Sequence, residues 1–447
     1  MTLLLRGPTR LPWISGAFCR KFAGSPVCPR VPEARAPAAD SPRSWETSHL
    51  RPLNPLELEA VVAVMPCWLH QREWRPPQHA DVPLLWEYID RQGLGGALGA
   101  LAAANLAPGG ELSDLAKARY FSNMVHCERA RRTGRKILTA ARDLGLPIAN
   151  LKGPVLAYQA YDDPGIRAFS DLDLWARSRA DVFQLLGALE CPVTEESDLH
   201  GPVRRLRSPG SILATLDGWE IEIRYPSGEA TDPMIDLLNR YAGAPPSPDD
   251  DCLAAPDPAW HMVLLLLHMS WYHYYSRFVW FLDLAALVSR QRPHMDFDWI
   301  LAESRRLHAG NLLGAASRFC RDHIDPSFPA FPMDPAAWSH RFLCLVTDPD
   351  TIARGRFSLH QRRRGQLLYI LWFRILRHFL LSDPPPRYLA NRPPERWLIA
   401  TIVRAFRMRG TVMPFAAKAF VGLLMVPLAR LTAWVSPMRK INRGGGS

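Results

Sequence analysis

Cysteine is sparse in this chain of 447 residues, and the eight that occur stand far apart: Cys19, Cys28, Cys67, Cys127, Cys191, Cys252, Cys320 and Cys344. No C-x-x-C pair is present, which argues against a disulfide framework or a structural zinc site and fits a reducing compartment. Long apolar runs are also missing. The most apolar stretch, "MPFAAKAFVGLLMVPLARLTAWV", has only 11 uncharged residues between Lys418 and Arg430, and Pro427 interrupts them. A membrane-spanning helix needs about 20 apolar residues, so a transmembrane reading is not supported. The G-x-x-x-x-G-K-[ST] loop is absent as well, which excludes a phosphate cradle of that design.

What is present is an uneven distribution of charge. The net charge is +11, yet residues 351–447 hold 18 Lys/Arg against 2 Asp/Glu, and residues 1–50 hold 7 against 3. The middle of the chain, with 29 against 38, is acidic. The basic character therefore belongs to the flanks, and the overall charge does not mark the whole protein as a nucleic-acid binder. Residues 1–50, rich in Pro, Arg and Ala, read as a disordered tail or a misplaced start rather than a targeting segment. The basic segment 351–447 reads as a packed helix, with contact to an anionic membrane surface or to RNA phosphates as its alternatives. The implied location is cytoplasmic or membrane-peripheral.

Between the flanks the pattern changes twice. From Asn54 to about Gly145, apolar residues recur at three- and four-residue spacing, as helices require. "IANL" then reads as a short strand running into Lys152-Gly153, followed by a helix opened by Pro154. "SDLDLWAR" reads as a second, half-buried strand, and "RADVFQLLGALE" as a helix. "WEIEIRY" alternates strictly, with Trp219, Ile221, Ile223 and Tyr225 on one face and Glu220, Glu222 and Arg224 on the other. Beyond Pro258 the chain is helical again.

The strand "SDLDLW" poses the chemical question, because carboxylates are costly to bury without a partner. A period of two puts Asp171 and Asp173 on one face about 7 Å apart, near enough to share a metal site. Hard oxygen ligands of this kind suit Mg²⁺ or Mn²⁺. The acidic strand supplies Glu220 or Glu222 as a third carboxylate, enough for two ions to clamp a phosphoryl displacement. Removing either aspartate is expected to relieve like-charge repulsion in the metal-free protein. Taken alone, a D-x-D strand is more often a solvated face, and an E-x-E strand is blander still. The order of elements carries the case: strand, Lys-Gly, helix, Arg167, Ser170-Asp171-Leu172-Asp173, then an acidic strand.

That order resembles the nucleotidyltransferase fold of the polymerase-beta type. More closely, "LKGPVLAYQAY…PGIRAFSDLDLW" resembles the family of uncharacterised nucleotidyltransferases, whose members read L-K-G, a helix, then R-x-x-x-D-h-D-h. The resemblance spans roughly residues 54–290, and 151–175 is its specific part. It implies an α+β protein: a small mixed sheet forming a nucleotidyltransferase core, flanked by N- and C-terminal helical regions. It implies Asp171, Asp173 and Glu222 as catalytic metal ligands for Mg²⁺ or Mn²⁺. Nucleotide contacts would come from Lys152, Gly153, Arg167, Ser170, Arg224 and Asp283. Arg224 stands where the family usually has His. The implied reaction moves a nucleoside monophosphate from an NTP to a peptide, sugar, small molecule or tRNA and releases pyrophosphate. A catalytically silent nucleotide-binding scaffold and a peripheral membrane accessory protein of a biosynthetic assembly are the competing readings.

The corresponding division is a tail at 1–50, a helical region at 51–147, the core at 148–245, a helical region completing the cleft at 246–345, and the basic region at 346–447. Two further residues are bounded by geometry. On one continuous helix His268 and Asp283 would lie about 22 Å apart at ~1.5 Å per residue, so both reach one nucleotide only if the helix breaks. His268, and the stripe Trp271, Tyr274, Phe278 and Phe281, read as core rather than as ligand contacts, while Asp283 is open to orienting Arg277, Arg167 or Arg224.

Overall fold

Residue 54 begins the first ordered element for a local chemical reason. The Asn54 side chain accepts from the Glu57 backbone N–H, the Glu57 carboxylate accepts from the Asn54 N–H, and Pro55 opens the helix. This reciprocal cap satisfies two amide donors that helix α1 (Pro55–Leu69) otherwise leaves unpaired. The computed structural model describes residues 50–161, 163–196, 210–226, 233–241, 256–273, 275–334 and 339–354. The expectations placed on residues 1–49 and on the basic segment from residue 355 onward lie outside them. All described residues belong to one unit, Thr47–Ser447.

Helices α2 (Val82–Arg91), α3 (Gly95–Ala103) and α4 (Glu111–Asp143) follow. Then come β1 (Ile148–Asn150), α5 (Pro154–Tyr161), β2 (Asp171–Ala176), α6 (Arg179–Ala188), β3 (Val193–Glu196), β4 (Gly210–Leu216) and β5 (Trp219–Tyr225). Helix α7 (Pro233–Tyr241) leads to α8 (Pro258–Leu267), a π-helical turn (His268–Tyr272) and α9 (Phe278–Gln291). The last described helices are α10 (Phe297–Arg306), α11 (Gly310–His323), α12 (Ser339–Val346) and α13 (Pro349–Ala353). Among the described residues no helix is long and apolar enough to cross a membrane.

The sheet order is β1-β2-β5-β4-β3. Strands β2 and β5 pair in parallel and the other neighbours antiparallel, so the sheet is mixed and the α+β expectation holds. Two of the five strands were not anticipated. In β4, "GSILATL", apolar residues run together without strict alternation, and β3 is a short, bulged edge ending in two glutamates.

The sheet separates two apolar clusters. One face, with Leu172, Leu174, Ile221 and Ile223, packs against Ile137 and Ala141 of α4 and Leu185 of α6. On the other face Trp175 joins the large cluster built by α1–α3, α5 and α8–α11. This second layer corrects the half-buried expectation for β2. Residues 172–176 are buried on both faces, because helices cover the side that carries the aspartates.

The turn into α5 requires glycine. Gly153 has φ +62°, and a Cβ there would stand 3.2 Å from the Asp171 carbonyl oxygen and 3.4 Å from the Phe169 ring. Gly153→Ala should therefore destabilise the protein by about 1–2 kcal/mol, the cost of a left-handed conformation for an L-residue. Urea denaturation checks this, and an unchanged midpoint would show that the turn relaxes freely.

Candidate active site

Because β2 and β5 run in parallel register, Asp171 lies opposite Glu220 and Asp173 opposite Glu222, with Trp175 opposite Arg224. Neighbouring strands lie about 4.8 Å apart, so the acidic residues of both strands share one face of the sheet. The two glutamates differ in setting. Glu220 is exposed at the start of β5, whereas Glu222 is partly buried beside Asp173.

Asp173 is the centre of the arrangement and is only 5 % exposed. Lys152, delivered by the turn after β1, places its Nζ 2.8 Å from Asp173 Oδ2. Arg224 Nη2 lies 2.8 Å from Glu222 Oε2 and 3.7 Å from Asp173 Oδ1. Asp173 Oδ1 is buried and makes no hydrogen bond. Burial pushes the Asp173 carboxyl up, but Lys152 and Arg224 outweigh it and hold the group below the usual aspartate value. Asp171 goes the other way. Burial, and then the negative charge of Asp173, push it up to about 6.

On its far side Lys152 Nζ approaches His268, whose Nδ1 accepts at 3.4 Å. Burial, Lys152 and His273 push the His268 imidazolium well below its normal range, so the ring is a neutral acceptor. The His268 and His273 rings stand 4.4 Å apart, and both meet Trp280. Arg277 places its guanidinium 5.9 Å from the Trp280 ring. Burial, and then the neighbouring Arg167, push Arg277 down to about 10.

This crowding exists because the helix does break. Helix α8 ends at Leu267, the π turn follows, Tyr275 takes a positive φ of 55°, and Arg277 is extended before α9 begins. His268 therefore reaches the first turn of α9. Single π turns inside helices often mark functional sites. Phe278 and Phe281 lie in the core, where both stack on Phe319. The side chains of Trp271 and Tyr274 lie outside the described residues.

Asp283 takes a setting different from direct nucleotide contact. It is 1 % exposed, and its oxygens accept from Arg167 Nε at 2.8 and 3.1 Å and from the Tyr161 hydroxyl. Burial pushes Asp283 up, against the pull of Arg167 and Tyr161. Its carboxylate aims Arg167 and ties α9 to α5 and to the loop before β2. Ser170 is exposed at the entry to β2. Sequence reasoning missed His273, Trp280 and Tyr161. For His273 and Trp280 the density of His and aromatic residues in "HMSWYHYYSRFVW" is the available signal, and it does not say where the helix breaks.

Among the described residues no three acidic, imidazole or thiol groups stand together as a ready-made metal cage. Asp171, Asp173 and Glu222 share a face, but Lys152 and Arg224 occupy two of them. A family model described as an uncharacterised nucleotidyltransferase matches residues 78–325, more than half of the chain, and contains all of these residues. No match was found among curated proteins.

The two aspartates should respond oppositely to removal in the metal-free protein. Asp171 has a raised folded value, so its stability contribution is complete below about pH 4 and is lost as pH rises through about 6. Asp171→Asn should then raise the melting temperature at pH 7 in chelator, with the gain vanishing near pH 4. Asp173 has a depressed value, so its contribution is present above about pH 4 and is lost as pH falls through the folded value. Asp173→Asn should cost roughly 3–5 kcal/mol at pH 7, the scale of breaking a buried ion pair. Relief of repulsion is therefore expected for Asp171 alone, and not for either aspartate alike. Equal shifts in the two melts would contradict this assignment.

Proposed function

The chain belongs to this family of nucleotidyltransferases, which implies an NTP-utilising transferase, and we propose that it moves a nucleoside monophosphate from an NTP to an acceptor with release of pyrophosphate. The acceptor offers a hydroxyl or phosphate, on a peptide, sugar, small molecule or tRNA. In this reading residues 148–245 are the catalytic core, with helical regions at 51–147 and 246–345.

The observation that carries the reading is the register of β2 and β5, which sets Asp173 against Glu222 with Asp171 one strand step away on the same face. The residues present fit Mg²⁺ or Mn²⁺ in kind: three carboxylates, one with a buried oxygen that has no hydrogen-bond partner. Asp171, Asp173 and Glu222 would hold the ion or ions. A divalent ion bound there would neutralise charge on the transferring phosphoryl group.

The chain's own cations do the remaining electrostatic work. Lys152, Arg224 and Arg167 line the acidic edge, and each is a donor for triphosphate oxygens. Arg224, in place of the family's His, adds a fixed charge where an imidazole would titrate. Asp283 acts as a positioning residue that holds Arg167 through two contacts. Gly153 keeps the turn beside Asp171 free of a side chain, so that backbone can approach a phosphate.

One observation favours the silent-scaffold reading: the pairing of Asp173 with Lys152 and Arg224, which occupies a carboxylate needed for metal. Offering each labelled NTP with Mg²⁺ or Mn²⁺ and following pyrophosphate release separates the two. We expect metal-dependent turnover with at least one NTP, and none from Asp171→Asn or Asp173→Asn. Glu222→Gln should cut turnover by at least ~100-fold, the scale of losing a charge-stabilising group. The exposed Glu220→Gln should leave stability within about 0.5 kcal/mol and activity near wild type. An inactive Glu220→Gln beside an active Glu222→Gln would reverse the assignment.

A further inference from the structure

Two of the three carboxylates assigned to metal, Asp173 and Glu222, already have cationic partners. Lys152 Nζ sits 2.8 Å from Asp173 Oδ2, and Arg224 Nη2 is shared between Glu222 at 2.8 Å and Asp173 at 3.7 Å. These cations come from separate elements, the turn after β1 and strand β5, yet they converge on one carboxylate. Lys152 also has a second resting partner, because His268 Nδ1 lies 3.4 Å away on its other side. Both cations are largely buried, with side-chain exposures of 12 % and 17 %. A buried cation cannot leave its carboxylate for an apolar surrounding without a large penalty. A triphosphate entering the same face supplies the replacement anion.

We propose that Lys152 and Arg224 are exchangeable counter-ions: in the empty protein they hold Asp173 and Glu222, and they pass to phosphate oxygens when nucleotide and divalent ion arrive together. The proposal rests on the nucleotidyl-transfer reading. An ammonium and a divalent ion compete for the same Asp173 oxygens, so the free protein takes up metal weakly. Nucleotide draws Lys152 away and exposes the carboxylate, and by linkage nucleotide and metal raise each other's affinity by the same factor. The exchange also keeps an uncompensated acidic face from existing at any stage.

This predicts an outcome that a structural lysine would not produce. Removing the Lys152 charge should tighten binding of metal in the absence of nucleotide. Mn²⁺ titrations of the full chain, followed by the electron paramagnetic resonance signal of free Mn²⁺, read this directly without any turnover. Lys152→Met, which keeps the aliphatic stem, should bind Mn²⁺ at least about tenfold tighter than wild type, the scale of one charge-assisted hydrogen bond. Adding Asp173→Asn to that variant should abolish the gain. Should Lys152→Met prove unfolded by thermal melt, Arg224→Gln tests the same exchange and should also bind Mn²⁺ more tightly. If the charge-removed variant that folds binds Mn²⁺ no better than wild type while Asp173→Asn weakens wild-type binding, Asp173 is a metal ligand and the exchange is wrong. If Mn²⁺ affinity ignores Asp173→Asn in every background, the exchange and the metal-site reading both fall.

Discussion

Burying an ionised carboxylate without a partner costs several kcal/mol, and the arrangement around β2 follows from that constraint at Asp173. Helices close over the acidic face of the sheet, so Asp173 cannot be solvated. Lys152 and Arg224 must therefore meet it, and the elements that carry them are fixed accordingly: the Lys152-Gly153 turn at the end of β1, and β5 in parallel register with β2. Asp171 lacks so close a cation and stays partly exposed, and its carboxyl is pushed up to about 6. Two aspartates separated by one leucine thus occupy different electrostatic states in the same strand.

A second network ties the elements beside this face together. Asp283 on α9 ties Arg167 from the loop before β2 to Tyr161 at the end of α5. The π turn and the extended residue before α9 bring His268 against Lys152, with His273 and Trp280 packed on the His268 ring. The same break leaves Asp283 beside Arg167 and His268 beside the acidic edge.

Local chemistry made much of this legible in the amino-acid sequence. Strict alternation in "WEIEIRY" placed β5 and its faces correctly, since Trp219, Ile221, Ile223 and Tyr225 are all buried. The Gly-Pro step after Lys152 located α5, and the spacing of Asp171 and Asp173 put them on one face. What escaped depends on tertiary contact. Whether β2 is half or fully buried is decided by helices far along the chain, and period-two patterning cannot register their cover. The bulged strand β3 has little apolar content of its own and is held by pairing to β4. The π turn has no composition signal that separates it from an aromatic-rich α-helix, whereas the Arg167–Asp283 pair was among the pairings open to Asp283. The pairing of Asp173 with cations, rather than with metal alone, is likewise a property of convergence.

In the proposed exchange, one acidic sheet face, neutralised by Lys152 and Arg224 at rest, receives nucleotide and divalent ion together. Its most direct measurement is a crystal structure with Mn²⁺ and a non-hydrolysable NTP analogue, using the anomalous signal of manganese to locate the ion. The exchange predicts anomalous density against Asp171 and Asp173, with the Lys152 ammonium drawn off Asp173 and onto a phosphate oxygen. An ion or nucleotide bound elsewhere, with Lys152 Nζ still 2.8 Å from Asp173 Oδ2, would contradict it.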